Sequence, residues 1–149
     1  MNQIQWLTDG VDMPDIDTGL LSQWIDSVAQ RHKRIVGPLA YIFCDDRRIL
    51  EVNRQFLSHD YFTDIITFDY SRGRRVSGDM FISLDTVSTN AEMVGTTFRR
   101  ELYRVIIHGV LHLCGINDKG PGEREVMESF ENEALDMFDN LISSSDHAL

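Results

Sequence analysis

The segment from Thr97 to Cys114 constrains this chain most. Thr97 suits a helix N-cap, and Phe98, Leu102, Val105, Ile106 and Leu113 then lie on one wide apolar arc. From Val105 to Cys114 the helix is apolar almost all round, so it belongs inside a core. Glu101, Arg104, His108 and His112 share its one narrow polar stripe. Two histidines on a buried helix need partners, because an unpaired polar group inside a protein is costly.

A metal ion would supply those partners. Histidines four residues apart differ by only about 40° in direction and about 6 Å in height, so their rings can converge. Zinc takes nitrogen at about 2.0–2.1 Å and commonly keeps three protein ligands in a catalytic site. Gly115 ends the helix and tolerates positive φ, so the chain can fold back and offer Asp118. The competing reading is a pair of hydrogen-bonded core histidines with Asp118 as a turn residue. The residue after His108 is Gly109, where a zinc peptidase of the His-Glu-x-x-His type carries its general base. Peptide hydrolysis is therefore disfavoured.

The other elements are read from periodicity. Thr18 is expected to cap a helix running to about Arg34, stopped by Gly37-Pro38. Leu39 to Cys44 is a buried strand, and Asp45 or Asp46 caps a second helix to about Leu57. Residues 65–70 and 79–84 form strands around a basic turn at Ser71-Arg72-Gly73-Arg74, and can pair as an antiparallel hairpin. Helices follow over 85–94, over the Thr97 segment and over 123–141. Strands and helices mix without strict alternation, which indicates an α+β fold.

The 149 residues fit one domain, 1–149, with 143–149 as a frayed tail. No apolar run is long enough to span a membrane, and the opening Met-Asn-Gln-Ile-Gln-Trp lacks the features of a secretory leader. Cys44 and Cys114 make no disulfide framework and are expected as thiols in a reducing cytoplasm. The net charge of −10 argues against a protein that coats nucleic acid nonspecifically. Local basic surface remains: Arg72, Arg74 and Arg75 offer phosphate contact or a solvated tip. Arg100 and Arg104 can steer a phosphate or pair with nearby acids, with pairing preferred. Asp79 is read as a support for a histidine or as a bulge residue, and Cys114 as core packing. His32, at a helix C-terminus, suits a cation, and His59 and His147 are expected to be exposed.

The segment His108-Gly-Val-Leu-His112-Leu-Cys-Gly115-Ile-Asn-Asp118 resembles the YbeY family of bacterial rRNA maturation endoribonucleases. The family signature is His-Gly-x-Leu-His-Leu-x-Gly-x-Asp-His, matched at His108, Gly109, Leu111, His112, Leu113 and Gly115. Upstream, Asn53, Asp60, Thr63-Asp64, Phe68, Gly78-Asp79 and Ile82 follow the family pattern, so the resemblance runs from about residue 39 to 135. Three departures stand out. Asp118 takes the place of the third histidine and Asn117 that of the family's Asp. Leu57 replaces an expected phosphate-binding arginine, for which Arg54 can stand in. Phe62 and Thr67 replace the family's Pro and Ser.

The resemblance implies a zincin-like α+β domain, a small mixed sheet against helices, with the histidines on a central buried helix. It implies one Zn²⁺ held by His108, His112 and Asp118, with metal-bound water or hydroxide attacking a phosphodiester. The implied substrate is single-stranded RNA, in a cleft between the histidine helix and the Phe56–Tyr70 region; Arg54 and Arg104 are candidate contacts, and Thr63 and Asp64 either line that cleft or form a turn, with the turn preferred. The implied role is 16S rRNA 3′ end maturation and ribosome quality control in the cytoplasm, with the small ribosomal subunit or its proteins as partners and no membrane. The alternatives are a metallopeptidase-like hydrolase, an Fe²⁺ oxygenase from the two-histidine, one-carboxylate set, and a non-catalytic assembly factor with a structural zinc.

Overall fold

The computed structural model describes residues 3–57 and 63–147, with side chains as far as Ser143. Four strands, β1 (Gln3–Thr8), β2 (Ile35–Cys44), β3 (Ile65–Asp69) and β4 (Arg75–Ser83), form one sheet in the order β1-β2-β4-β3. The first two pairings are parallel and β3 runs antiparallel to β4, so the sheet is mixed and the β3–β4 hairpin is as expected. Parallel neighbours need crossovers, and α1 (Thr18–Arg31) supplies the one between β1 and β2. The remaining helices are α2 (Asp46–Leu57), α3 (Leu84–Val94), α4 (Phe98–Leu113) and α5 (Glu123–His147). Among the described residues no helix is long and apolar enough to cross a membrane.

Helix α4 is the centre of the molecule. Leu102, Ile106, Ile107, Val110 and Leu111 are fully buried, in one cluster with Trp24, Tyr41, Met80 and Phe138. Gly109 explains how closely α4 lies on the sheet. A Cβ there would come 2.5 Å from Met80 Sδ and 3.0 Å from Ile65 Cδ1. The absence of a side chain at 109 is therefore a packing requirement, besides removing a general base. On the opposite face of the sheet, Ile49 and Val52 of α2 close a smaller cluster with Cys44 and Ile66.

Several boundaries move. Asp17, not Thr18, caps α1, its side chain accepting from the Leu20 amide at 3.0 Å. The helix stops at Arg31, not Arg34, because His32 leaves helical geometry and Lys33 adopts φ 61°. Gly37-Pro38 is not a stop but lies inside β2, where the register with β4 shifts between Val36 and Leu39. Proline lacks a ladder donor, and strands accommodate it at such irregularities. Strand β1 is absent from the sequence reading, although Ile4 and Trp6 alternate with Gln3 and Gln5. Trp6 stacks on Tyr41 at 4.7 Å between ring centroids and donates to Ser22 Oγ at 3.1 Å. Helix α5 continues past Leu141 to His147, so 143–147 are helical, not frayed. Each added helical residue gains a hydrogen bond once the helix is nucleated.

Candidate metal centre

Helix α4 ends in a hydrogen-bonded turn that redirects the chain. The Ile116 amide donates to Leu111 O at 3.1 Å and the Gly115 amide to His112 O at 3.0 Å, with Gly115 at φ 94°. This is the Schellman arrangement, and it satisfies helix-end carbonyls while turning the chain back. The returning segment brings Asp118 to His108, with Oδ2 3.3 Å from Nε2.

The other ring nitrogen is also engaged. His108 Nδ1 lies 2.7 Å from Glu131 Oε2 on α5. A carboxylate only accepts, so Nδ1 carries a proton, and Nε2, which faces Asp118, is the nitrogen that can give up its proton to a metal. Glu131 Oε1 in turn accepts from Arg104 Nη1 at 3.0 Å, and Arg104 Nη2 donates to Asn132 Oδ1 at 2.8 Å. Burial works against a charged His108, but the hydrogen bond and charge of Glu131, then Asp118 and Asp64, outweigh it and raise its pKa.

These residues line a cavity of about 700 Å³. Its walls are the polar stripe of α4, the end of α3 at Asn90 and Met93, α5 from Arg124 to Glu131, and Asp64 just ahead of β3. Asp64 is raised by burial, with the His108 charge acting against that. Glu101 is raised by burial against the pull of Arg104. Among the described residues the cavity thus opens between α4 and the α3 and α5 helices, not toward Phe56–Tyr70 as expected, and meets that region only at Asp64.

The donor chemistry fits a divalent ion in part of the set. Two ligands at about 2.05 Å from a tetrahedral zinc stand about 3.3 Å apart, which is the His108–Asp118 separation. His112 lies one turn further along α4, half-buried, and does not line this cavity. Among the described residues no group of three His, Cys, Asp or Glu stands close enough to hold an ion.

The remaining candidates separate clearly. Arg104 is occupied by Glu131 and Asn132, and Arg100 holds Asp139 through two bonds at 2.8 and 3.1 Å. Both therefore pair with acids, on α5. Arg54 is exposed on α2. Thr63 Oγ1 lies 3.5 Å from Ile65 O, a local turn contact, and Asp64 O accepts from the Ser83 amide at 2.9 Å. Among the described residues Asp79 supports no histidine; its neighbour Met80 faces α4, and its own carboxylate meets the Tyr70 hydroxyl at 3.4 Å. Cys114 is buried, with its thiol pushed up to about 11 by desolvation, as core packing requires. His32 is lowered, not favoured as a cation, because burial, helped by the Arg31 and Arg34 charges, outweighs the pull of Glu133. Asp60, His59 and Phe62 lie outside the described residues, as does the His147 side chain.

Glu131 is the residue that the sequence reading missed. It falls four residues after Met127, three before Ala134 and four before Leu135, all buried, so it interrupts the apolar face of α5. A charged residue on such a face was the available signal.

A family profile described as Endoribonuclease YbeY matches residues 10–139. The chain belongs to the YbeY family. Among its relatives, the protein named Endoribonuclease YbeY in Bacteroides thetaiotaomicron is 62% identical over 134 residues, covering 90% of this chain and 98% of the relative. The YbeY of Phocaeicola vulgatus is 64% identical over 132 residues, covering 89% and 96%. That of Porphyromonas gingivalis is 46% identical over 144 residues, covering 97% and 95%. The solution structure of TM1509 from Thermotoga maritima is similar at a TM-score of 0.62 and 25% identity, covering 92% of each chain. The YbeY resemblance read from the His108 segment is therefore correct, and so is the expected α+β architecture.

Proposed function

We propose that this chain is a metal-dependent endoribonuclease that hydrolyses single-stranded RNA, and that residues 1–149 act as one catalytic unit. One observation carries the reading: His108 is fixed by Glu131 with its second nitrogen turned to Asp118 inside a polar cleft. Relatives named Endoribonuclease YbeY, alike over nearly their whole length, support it.

In this reading His108, His112 and Asp118 hold one ion, with zinc suited to two imidazoles and a carboxylate. When bound, that ion supplies Lewis acidity toward water and a phosphate oxygen. The chain's own residues do the rest. Glu131 holds the proton on His108 Nδ1, so that Nε2 presents a lone pair. Arg104 balances the Glu131 charge and keeps that carboxylate in place. Arg100 and Arg124 bring positive charge to a cleft that also contains Asp64, Glu101 and Glu128. Arg54, Arg104, Thr63 and Asp64 are the proposed RNA contacts, of which Arg104 and Asp64 line the cleft. The finer role is 16S rRNA 3′ end maturation and ribosome quality control in the cytoplasm.

The test uses the purified protein with single-stranded RNA, with and without a chelator, followed by return of zinc. Cleavage should stop with the chelator and resume with zinc. His112→Ala should abolish cleavage while circular dichroism still reports a folded chain. Cleavage that survives metal removal, or that persists in the variant, would refute the reading. Unfolding of His112→Ala would point to a structural zinc instead.

A further inference from the structure

The cations of this acidic chain are sorted in an unusual way. Segments 31–38 and 70–78 contain Arg31, Lys33, Arg34, Arg72, Arg74 and Arg75, and neither contains an Asp or Glu. The fold joins the two segments. The Ile35 amide donates to Arg74 O at 2.8 Å, Arg74 Nε donates to Lys33 O at 3.2 Å, and Ile35 pairs with Arg75 in the ladder. Arg72 and Arg75 exchange backbone hydrogen bonds at 2.9 Å each, so the tip is an ordered turn.

Five arginines answer acids. Arg48, Arg99, Arg100 and Arg104 each hold a carboxylate, and Arg31 holds Glu133. Among the described residues, Lys33, Arg34, Arg72, Arg74 and Arg75 form no ion pair. The side-chain hydrogen bonds of Arg34 and Arg74 go to carbonyls, leaving their charge unneutralised. Lys33, Arg72, Arg74 and Arg75 are exposed. Clustered cations repel one another, so an unneutralised group on a chain of net charge −10 is a surface awaiting an anionic polymer.

The cluster is also tied to the candidate metal centre. Arg34 Nη2 donates to Cys114 O at 3.2 Å, at the C-terminal end of α4 where the chain turns toward Asp118. The cleft itself holds more carboxylates than arginines, so cations outside it add to the hold on a polyanion.

We propose that Lys33, Arg72, Arg74 and Arg75, with Arg34 behind them, form a docking surface for the phosphate backbone of single-stranded RNA flanking the bond presented to the cleft. The inference rests on the nuclease reading for the kind of polymer, and binding is measured separately from cleavage. Phosphate contacts set register and affinity without reading sequence, so the surface serves RNA of any sequence.

The test compares the wild type with the fourfold variant Lys33→Gln, Arg72→Gln, Arg74→Gln and Arg75→Gln, by fluorescence anisotropy with a labelled RNA of about 20 nucleotides and one of about 5. For the long RNA, affinity should fall at least about tenfold at low salt, and the slope of log K against log salt should flatten by about 2–3. Cleavage of the short RNA should keep its kcat/KM. A second variant, Arg72→Lys, Arg74→Lys and Arg75→Lys, preserves charge and should bind as the wild type does, which guards against a folding defect. Equal affinity and slope in the Gln variant would overturn the proposal. So would unchanged RNA binding together with loss of binding to an acidic polypeptide such as polyglutamate, which would assign the surface to an acidic protein. If the wild type cleaves no RNA under any metal but the Gln variant still loses RNA affinity, the nuclease reading falls and the docking surface stands.

Discussion

Glu131→Gln is the sharpest perturbation of the candidate centre, because it changes one oxygen to an amide nitrogen and almost nothing in volume. Glu131 is only 8% exposed, so water cannot easily replace a lost partner. Its two oxygens accept from two donors, His108 Nδ1–H at 2.7 Å and Arg104 Nη1 at 3.0 Å. Glutamine has one acceptor oxygen and can satisfy only one of them. Arg104 cannot give up its proton, whereas the imidazole can change tautomer. The amide oxygen therefore turns to Arg104, its NH₂ donates to Nδ1, and the ring proton moves to Nε2. That nitrogen faces Asp118, and the proposed ion would need its lone pair. Losing such a support costs about 10–100-fold in metal affinity, equivalent to about 1.4–2.7 kcal/mol. Zinc affinity by chelator competition gives the magnitude, and ¹⁵N NMR of the His108 ring reports which nitrogen is protonated. Unchanged zinc affinity with the proton still on Nδ1 would refute the reasoning.

Three further perturbations test other parts of the structure. Gly109→Ala gains about 0.8–1 kcal/mol of helix propensity but must place a Cβ 2.5 Å from Met80 Sδ. Overpacking at about 1–3 kcal/mol should win, so urea denaturation should find the variant less stable; a stabilised variant would mean that helix and sheet are not in close contact. Trp24→Phe removes the 2.7 Å hydrogen bond to Ala134 O between α1 and α5, and should cost about 1–3 kcal/mol by the same measurement because the carbonyl is left buried. The pH dependence of metal-stripped protein should carry two opposing histidine signatures. His108 is raised, so its stabilisation is complete below the ordinary value of 6.5 and is lost as pH rises through the raised value. His32 is lowered, so its stabilisation is present above 6.5 and is lost as pH falls through the lowered value. His108→Gln should flatten thermal midpoints on the alkaline side and His32→Gln on the acid side; the reverse pattern would contradict both assignments.

What was legible in the sequence was local. Thr97, the all-round apolar run to Cys114 and Gly115 define α4 through capping and periodicity, and the observed helix agrees at both ends. Asp118 follows from Gly115, since a left-handed residue returns the chain over its own helix. The illegible features depend on distant partners. Strand β1 is a short alternation whose burial is decided by Tyr41 and Ser22 across the sheet. Pro38 reads as a stop, but a register shift against β4 absorbs it. Arg104 reads as pairing with an acid near it in the chain, yet α5 supplies both of its partners. For the same reason the side of α4 on which the cleft opens could not be read from α4 alone.

The position of Glu131 in the chain has a temporal consequence. During synthesis every strand, and α4 with both histidines, leaves the ribosome before α5 does. Until α5 docks, the His108 imidazole lacks the Glu131 carboxylate that engages Nδ1, and one wall of the cleft is missing. A nascent or C-terminally clipped chain thus has neither the anchored ring nor the closed cleft, and both arrive only with the last helix.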